Sequence, residues 1–206
     1  MIEVNIDVDN KQLKYVENEL DKMQKKTPSI LKKAVNATAR KAKSKLASKV
    51  IKRYATNSSE IRQAMQLKSA TVGQPSSTIM VKGSMKEIKE FKVAPMEVSK
   101  GRNRVKYLTA KVLKSSSMKP LLGSPKPFVA QFESLHISVV RRVPGEYMKK
   151  KPPGKQKPKE KLEKLLSPSV THMIGNDNVY REVEPEIRSI LEKQIREALL
   201  ESKGGS

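Results

Sequence analysis

The chain's only two imidazoles, His136 and His172, are the side chains best suited to proton transfer or metal ligation near neutral pH. Neither has a second histidine or a carboxylate at ligand spacing, so both read as structural. Asp7 and Asp9 stand two apart on what reads as one strand face, a pair that could hold a cation and equally suits a solvated strand end. Cysteine is absent, which removes disulfides, thiolate zinc sites, iron–sulfur clusters and thiol nucleophiles. Gly73, Gly83 and Gly101 are isolated, and the sequence has neither a phosphate-cradling glycine loop nor a nucleophile-elbow serine. Glu60, Glu87, Glu90, Glu97, Glu133, Glu146, Glu160 and Glu163 are scattered singly or flanked by lysine, a poor basis for paired-carboxylate chemistry. These residues predict no enzyme, no metal and no cofactor.

The chemistry that stands out is electrostatic. The 206 residues hold 43 Lys+Arg against 21 Asp+Glu, a formal charge of +22. Residues 1–21 net −4 and residues 177–201 net −3, so residues 22–176 carry +28, and no acid occurs between Lys22 and Ser59. Such a field calls for a polyanion or an acidic partner. Nucleic acid fits, since each neutralised phosphate releases a counterion. Lysine strongly outnumbers arginine, and five Tyr, three Phe and no Trp provide few stacking platforms, so any DNA contact is expected to be sequence-blind.

The elements that must carry this charge read as α+β. Residues 2–8 alternate apolar and polar, as a half-buried strand does. Leu13, Val16, Leu20 and Met23 suit a short amphipathic helix from Lys11 to Gln24. Thr27-Pro28, a cap and a first-turn proline, opens a long helix to about Tyr54, with the stripe Leu31, Val35, Thr38, Ala42, Leu46, Val50 and Tyr54 and a basic opposite face. A short helix from Ser58 to about Leu67 is followed by strands at Ser77–Lys82, Phe91–Val98, Val105–Leu113 and His136–Val143, predicted to join the first in one small, mostly antiparallel sheet. Residues 145–161, with seven lysines, three prolines and two glycines, predict a flexible basic loop or insertion. Ser167-Pro168 reads as the cap and first position of a short helix stopped by Gly175. The final helix has the stripe Val179, Val183, Ile187, Ile190, Leu191, Ile195 and Leu199, with a kink or late start at Pro185, and residues 202–206 read as a frayed terminus. Length suits a single domain over 1–206. Without a leader pattern or a membrane-length apolar run, the chain is expected to be soluble and unexported.

Three stretches, taken in order, resemble one family. Residues 33–65 (KAVNATARKAKSKLASKVIKRYATNSSEIRQAM), with Asn36 followed by Thr38-Ala39, residues 126–142 (KPFVAQFESLHISVVRR), and residues 165–200, opening LLSPSVTHMIG, are similar to the minor tail protein Z family of long-tailed bacteriophages. Ser167 stands where that family tends to have glycine. The resemblance implies a structural virion protein that completes or terminates the tail at its head-proximal end. It further implies a homo-oligomer, a hexameric ring at the tail–neck junction, with tail-tube and neck or connector proteins as partners, and with the basic surface meeting either double-stranded DNA in the lumen or acidic tail-tube or neck subunits. Assembly would take place in the host cytoplasm. The alternative is a cytoplasmic, sequence-independent nucleic-acid-binding protein.

Within either reading, Arg40, Lys43, Arg53, Arg141 and Arg142, with Lys149, Lys150, Lys151, Lys155, Lys157 and Lys159, are the candidate DNA- or partner-facing cations. Phe128, Val129, Phe132 and Pro168 are candidates for core or subunit contacts.

Overall fold

A computed structural model of the chain describes residues 1–20, 25–98, 105–149 and 158–204. The elements run β1 (Ile2–Ile6), α1 (Asn10–Leu20), α2 (Thr27–Arg53), α3 (Ser58–Gln63), β2 (Met65–Lys68), β3 (Ser77–Val81), β4 (Lys86–Glu87), a 3-10 turn (Ile88–Glu90), β5 (Lys92–Ala94), β6 (Thr109–Lys111), β7 (Lys119–Pro120), β8 (Phe128–Gln131), β9 (Ile137–Tyr147), β10 (Glu160–Lys164), β11 (Leu166–Ser167), α4 (Val170–Ile174) and α5 (Asp177–Gly204). The α+β class is as expected. In place of one sheet, the described residues form four small ones, ordered β1-β3-β2, β10-β9-β8, β11-β4 and β5-β6-β7, and every strand pair among them is antiparallel.

By contacts the chain forms two compact units. The first comprises Met1–Ile51, Ser58–Ser84 and Ser169–Ser206; the second comprises Lys52–Asn57 and Met85–Pro168.

In the first unit every α2 stripe residue through Val50 is buried, and Ile30, Ala34, Ala39 and Ala47 join them. Small residues on the flanks widen the buried face of this helix beyond one stripe. Thr27 lies within the helix, and its buried Oγ1 has no partner among the described residues, so the expected cap does not form there. Residue Asp9 does cap its helix: its Oδ1 accepts from the Gln12 amide at 2.8 Å, while Gln12 Oε1 accepts from the Asp9 amide at 3.1 Å. The predicted short helix stops at Gln63, because Met65–Lys68 alternates inward and outward and pairs with β3. Helix α5 is continuous through Pro185, with no late start at Glu184, and its helical span extends to Gly204 across part of the expected frayed end. Its stripe is buried except for Ile190.

The cap of α4 is Ser169, whose hydroxyl accepts from the His172 amide at 3.1 Å. Ser167 and Pro168 therefore precede the helix instead of opening it. Gly175 ends it as expected.

The second unit has a core of Ile88, Leu108, Ala110, Val129 and Val139, flanked by Val93, Met96, Val112, Leu121, Ile137 and Leu165. Tyr54, the last residue of the predicted α2 stripe, lies beyond the helix and bridges to Leu113.

Candidate functional site

Helices α2 and α5 face each other through a ladder of ion pairs: Lys33–Glu201, Lys45–Glu186 at 2.8 Å, and Lys49–Glu182. As the α2 number rises the α5 number falls, the signature of an antiparallel pair. Surface pairs of this kind contribute at most about 1 kcal/mol each, so they set register more than stability.

Between the Lys33 and Lys45 rungs the ladder breaks. There α5 presents Ile190 and Lys193, and a groove of about 600 Å³ opens, lined by Arg40, Lys41, Ser44, Lys45, Ser48, Ile190 and Lys193. Four cations and two hydroxyls, with no carboxylate in the lining among the described residues, form an anion-attracting surface. Lys45 and Lys193 are paired to Glu186 and Glu197, whereas no ion pair to Arg40 or Lys41 is found among the described residues. The positions 40, 44 and 48, and 41 and 45, recur every four residues, so the polar groups form rows along one face of α2. This is the arrangement that sequence-blind attraction of a polyanion needs.

Of the candidate cations among the described residues, only Arg40 lines this groove. Lys43 is half-buried and not among the lining residues. Arg53 belongs to the second unit, where its buried Nε has no hydrogen-bond partner among the described residues. Arg141 and Arg142 lie on β9, and carboxylates of β10 neutralise them: Arg141 pairs with Glu163 at 2.9 Å and Arg142 with Glu160 at 3.2 Å. Lys161 likewise meets Glu146 at 2.7 Å. These cross-strand pairs run up a hairpin that replaces both ends of the expected flexible loop, since Glu160 is paired with Tyr147 and the Met148 amide donates to the Lys159 carbonyl at 2.8 Å. Lys149 and Lys159 are exposed at its far end. Lys150, Lys151, Lys155 and Lys157 lie outside the described residues.

Val129 is buried in the second core. Phe128 is half-buried, with the Arg142 guanidinium 5.6 Å from its ring centre, and Phe132 is half-buried beneath the Lys164 ammonium at 5.8 Å. Pro168 is half-buried ahead of α4.

Sequence spacing did not reveal a polar cluster in the second unit. Glu87 accepts from Ser138 Oγ at 2.6 Å and Lys164 Nζ at 2.5 Å, with His136 Nε2 at 3.1 Å. Burial pushes the Glu87 carboxyl up, but the bonds from Lys164, Ser138 and His136 outweigh it and hold it at about 2, below its ordinary 4.5. The group has the residue types of a hydrolytic triad but not its geometry: Ser138 is fully buried and donates to the carboxylate. Glu87 lies about 50 residues from His136 and Ser138 and 77 from Lys164, and the only hint in the sequence is a histidine opening a predicted strand.

Among the described residues no group of three or more His, Asp or Glu could hold a metal, and no helix is long and apolar enough to cross a membrane. Searches of the curated proteins and of the solved structures each found no match. The family model described as prophage minor tail protein Z (GPZ) matches residues 11–202. The chain belongs to the prophage minor tail protein Z family.

Proposed function

We propose that this phage tail protein completes or terminates the tail at its head-proximal end, as a ring of identical subunits at the tail–neck junction whose α2–α5 groove attracts DNA without reading it. Family membership supports the structural tail role and its place in the virion. The finer reading is carried by one observation, the groove in which Arg40, Lys41, Lys45 and Lys193 gather around a gap in the interhelical ion-pair ladder. A ring would bring this surface around one axis several times over, where counterion release from passing phosphates favours association. Neck and tail-tube subunits are the protein partners of this reading.

The test adds purified protein to tail tubes assembled without it and images them in negative stain. Density at the head-proximal end is the expected result; tubes bare at both ends overturn the reading. The same groove also favours the alternative, a sequence-independent nucleic-acid binder acting outside the particle. A protein that binds DNA with a steep salt dependence, stays monomeric and ignores tail tubes would establish that alternative.

A further inference from the structure

The first unit carries a second groove, opposite in sign to the first. Asp7, Asp9, Glu184 and Glu192, with Arg188 as the only cation, surround a cleft of about 480 Å³ over an apolar floor of Val4, Ile6, Ile187 and Leu191. Arg188 is already paired to Glu184 at 2.9 Å, which leaves the cleft acidic. Both grooves use α5, from opposite sides of its buried stripe: Ile190 and Lys193 on one, Glu184, Arg188 and Glu192 on the other.

We infer that the basic α2 face of one copy docks into the acidic cleft of the next, so that copies of this chain join head to tail through α5. The inference takes from the proposed tail role only that the chain assembles with itself; it replaces DNA as the partner of Arg40, Lys41 and Lys45, because a face docked into a neighbour is closed to phosphate. Three observations select a second copy as the occupant. The two surfaces have opposite charge and lie on one chain. Their extents are comparable, about 12 Å along α2 from residue 40 to 48 and about 18 Å along α5 from residue 180 to 192. Arg40, Lys41 and Lys45 are exposed, and their long side chains can reach across an interface to a neighbour's carboxylates. Because the two patches differ, the contact is heterologous, and it repeats until the rotation closes a ring. The overall charge of +22 opposes association at long range. At about 0.1 M salt the Debye length is about 10 Å, so the contact responds to the local charges.

The test uses the full-length chain and light scattering at about 0.1 M salt. Charge reversal of the basic face (R40E with K41E) or of the acidic cleft (D7K with E192K) should each weaken self-association by about 100-fold or more. A one-to-one mixture of the two double variants should restore it, because every interface then pairs reversed with reversed or native with native. Restoration also shows that both variants fold. Variants that associate like the wild type, a mixture that stays dissociated while each variant melts like the wild type, or a monomeric wild type would overturn the inference. Binding of wild-type protein to tail-tube ends, scored on the same preparations, reports on the tail role separately.

Discussion

The side-chain amide of Asn36 grips the backbone of Ala70 at two points: Nδ2 donates to the Ala70 carbonyl at 3.1 Å, and Oδ1 accepts from the Ala70 amide at 2.8 Å. Asn36 thereby acts as a single-residue strand partner, fastening the segment after β2 to α2. Two residues on, the buried Thr38 hydroxyl donates to the Ala34 carbonyl at 2.8 Å, which satisfies that hydroxyl on the packed face.

Replacing Asn36 with Ala leaves the amide and carbonyl of the nearly buried Ala70 without these partners. The expected loss is about 2 kcal/mol, seen as a lower denaturant midpoint with unchanged slope. Asn36→Asp should be no better, because a carboxylate cannot donate to the carbonyl. An unchanged midpoint in either variant would show that the grip is not structural.

Glu87 makes a prediction about acid. Its folded pKa of about 2 lies below the ordinary 4.5, so its contribution is fully present above pH 4.5 and is lost as pH falls from about 4.5 to 2. The shift bounds that contribution at about 3 kcal/mol, and solvation of the partly exposed Lys164 reduces it. The stability gap between wild type and Glu87→Gln should therefore narrow across that window. A gap that is flat from pH 6 to 2 would refute the assignment.

Leu135 occupies the turn between β8 and β9 with φ 63°, its side chain 76% exposed. A leucine in the left-handed region is strained by roughly 1–2 kcal/mol, whereas glycine is not. After glycine's extra unfolded-state entropy, Leu135→Gly should stabilise the protein by about 0.5 kcal/mol, measured as a raised midpoint.

Two serines close together separate a cap from a bystander. Ser169→Ala should cost about 1 kcal/mol by removing the bond to the His172 amide, while Ser167→Ala, whose buried hydroxyl has no partner among the described residues, should cost less. Thermal melts of the pair decide this.

Binding to DNA offers a contrast between two kinds of arginine. Removing Arg40 and Lys41 together should lower the salt slope of binding by about 2 if each meets a phosphate. Arg141→Ala should change the slope far less, since Glu163 already neutralises that guanidinium.

The long helices, the α+β class and the first strand were legible from residue spacing alone, because periodicity is a local property: six of the seven predicted α2 stripe residues lie in the helix, and all seven are buried. It also exposed the family, through short runs whose spacing is preserved along the chain. The short strands at Met65–Lys68 and Glu160–Lys164 escaped it, since four or five polar-rich residues become a strand only when a partner edge supplies their hydrogen bonds. The division of the cations was equally beyond it. Arg40 and Arg141 look alike in sequence, yet one borders an open groove and the other is neutralised across a hairpin. That difference arises in the fold, because a charged side chain's partner is chosen by which distant segments are brought together, and neither an arginine nor a glutamate encodes that choice locally.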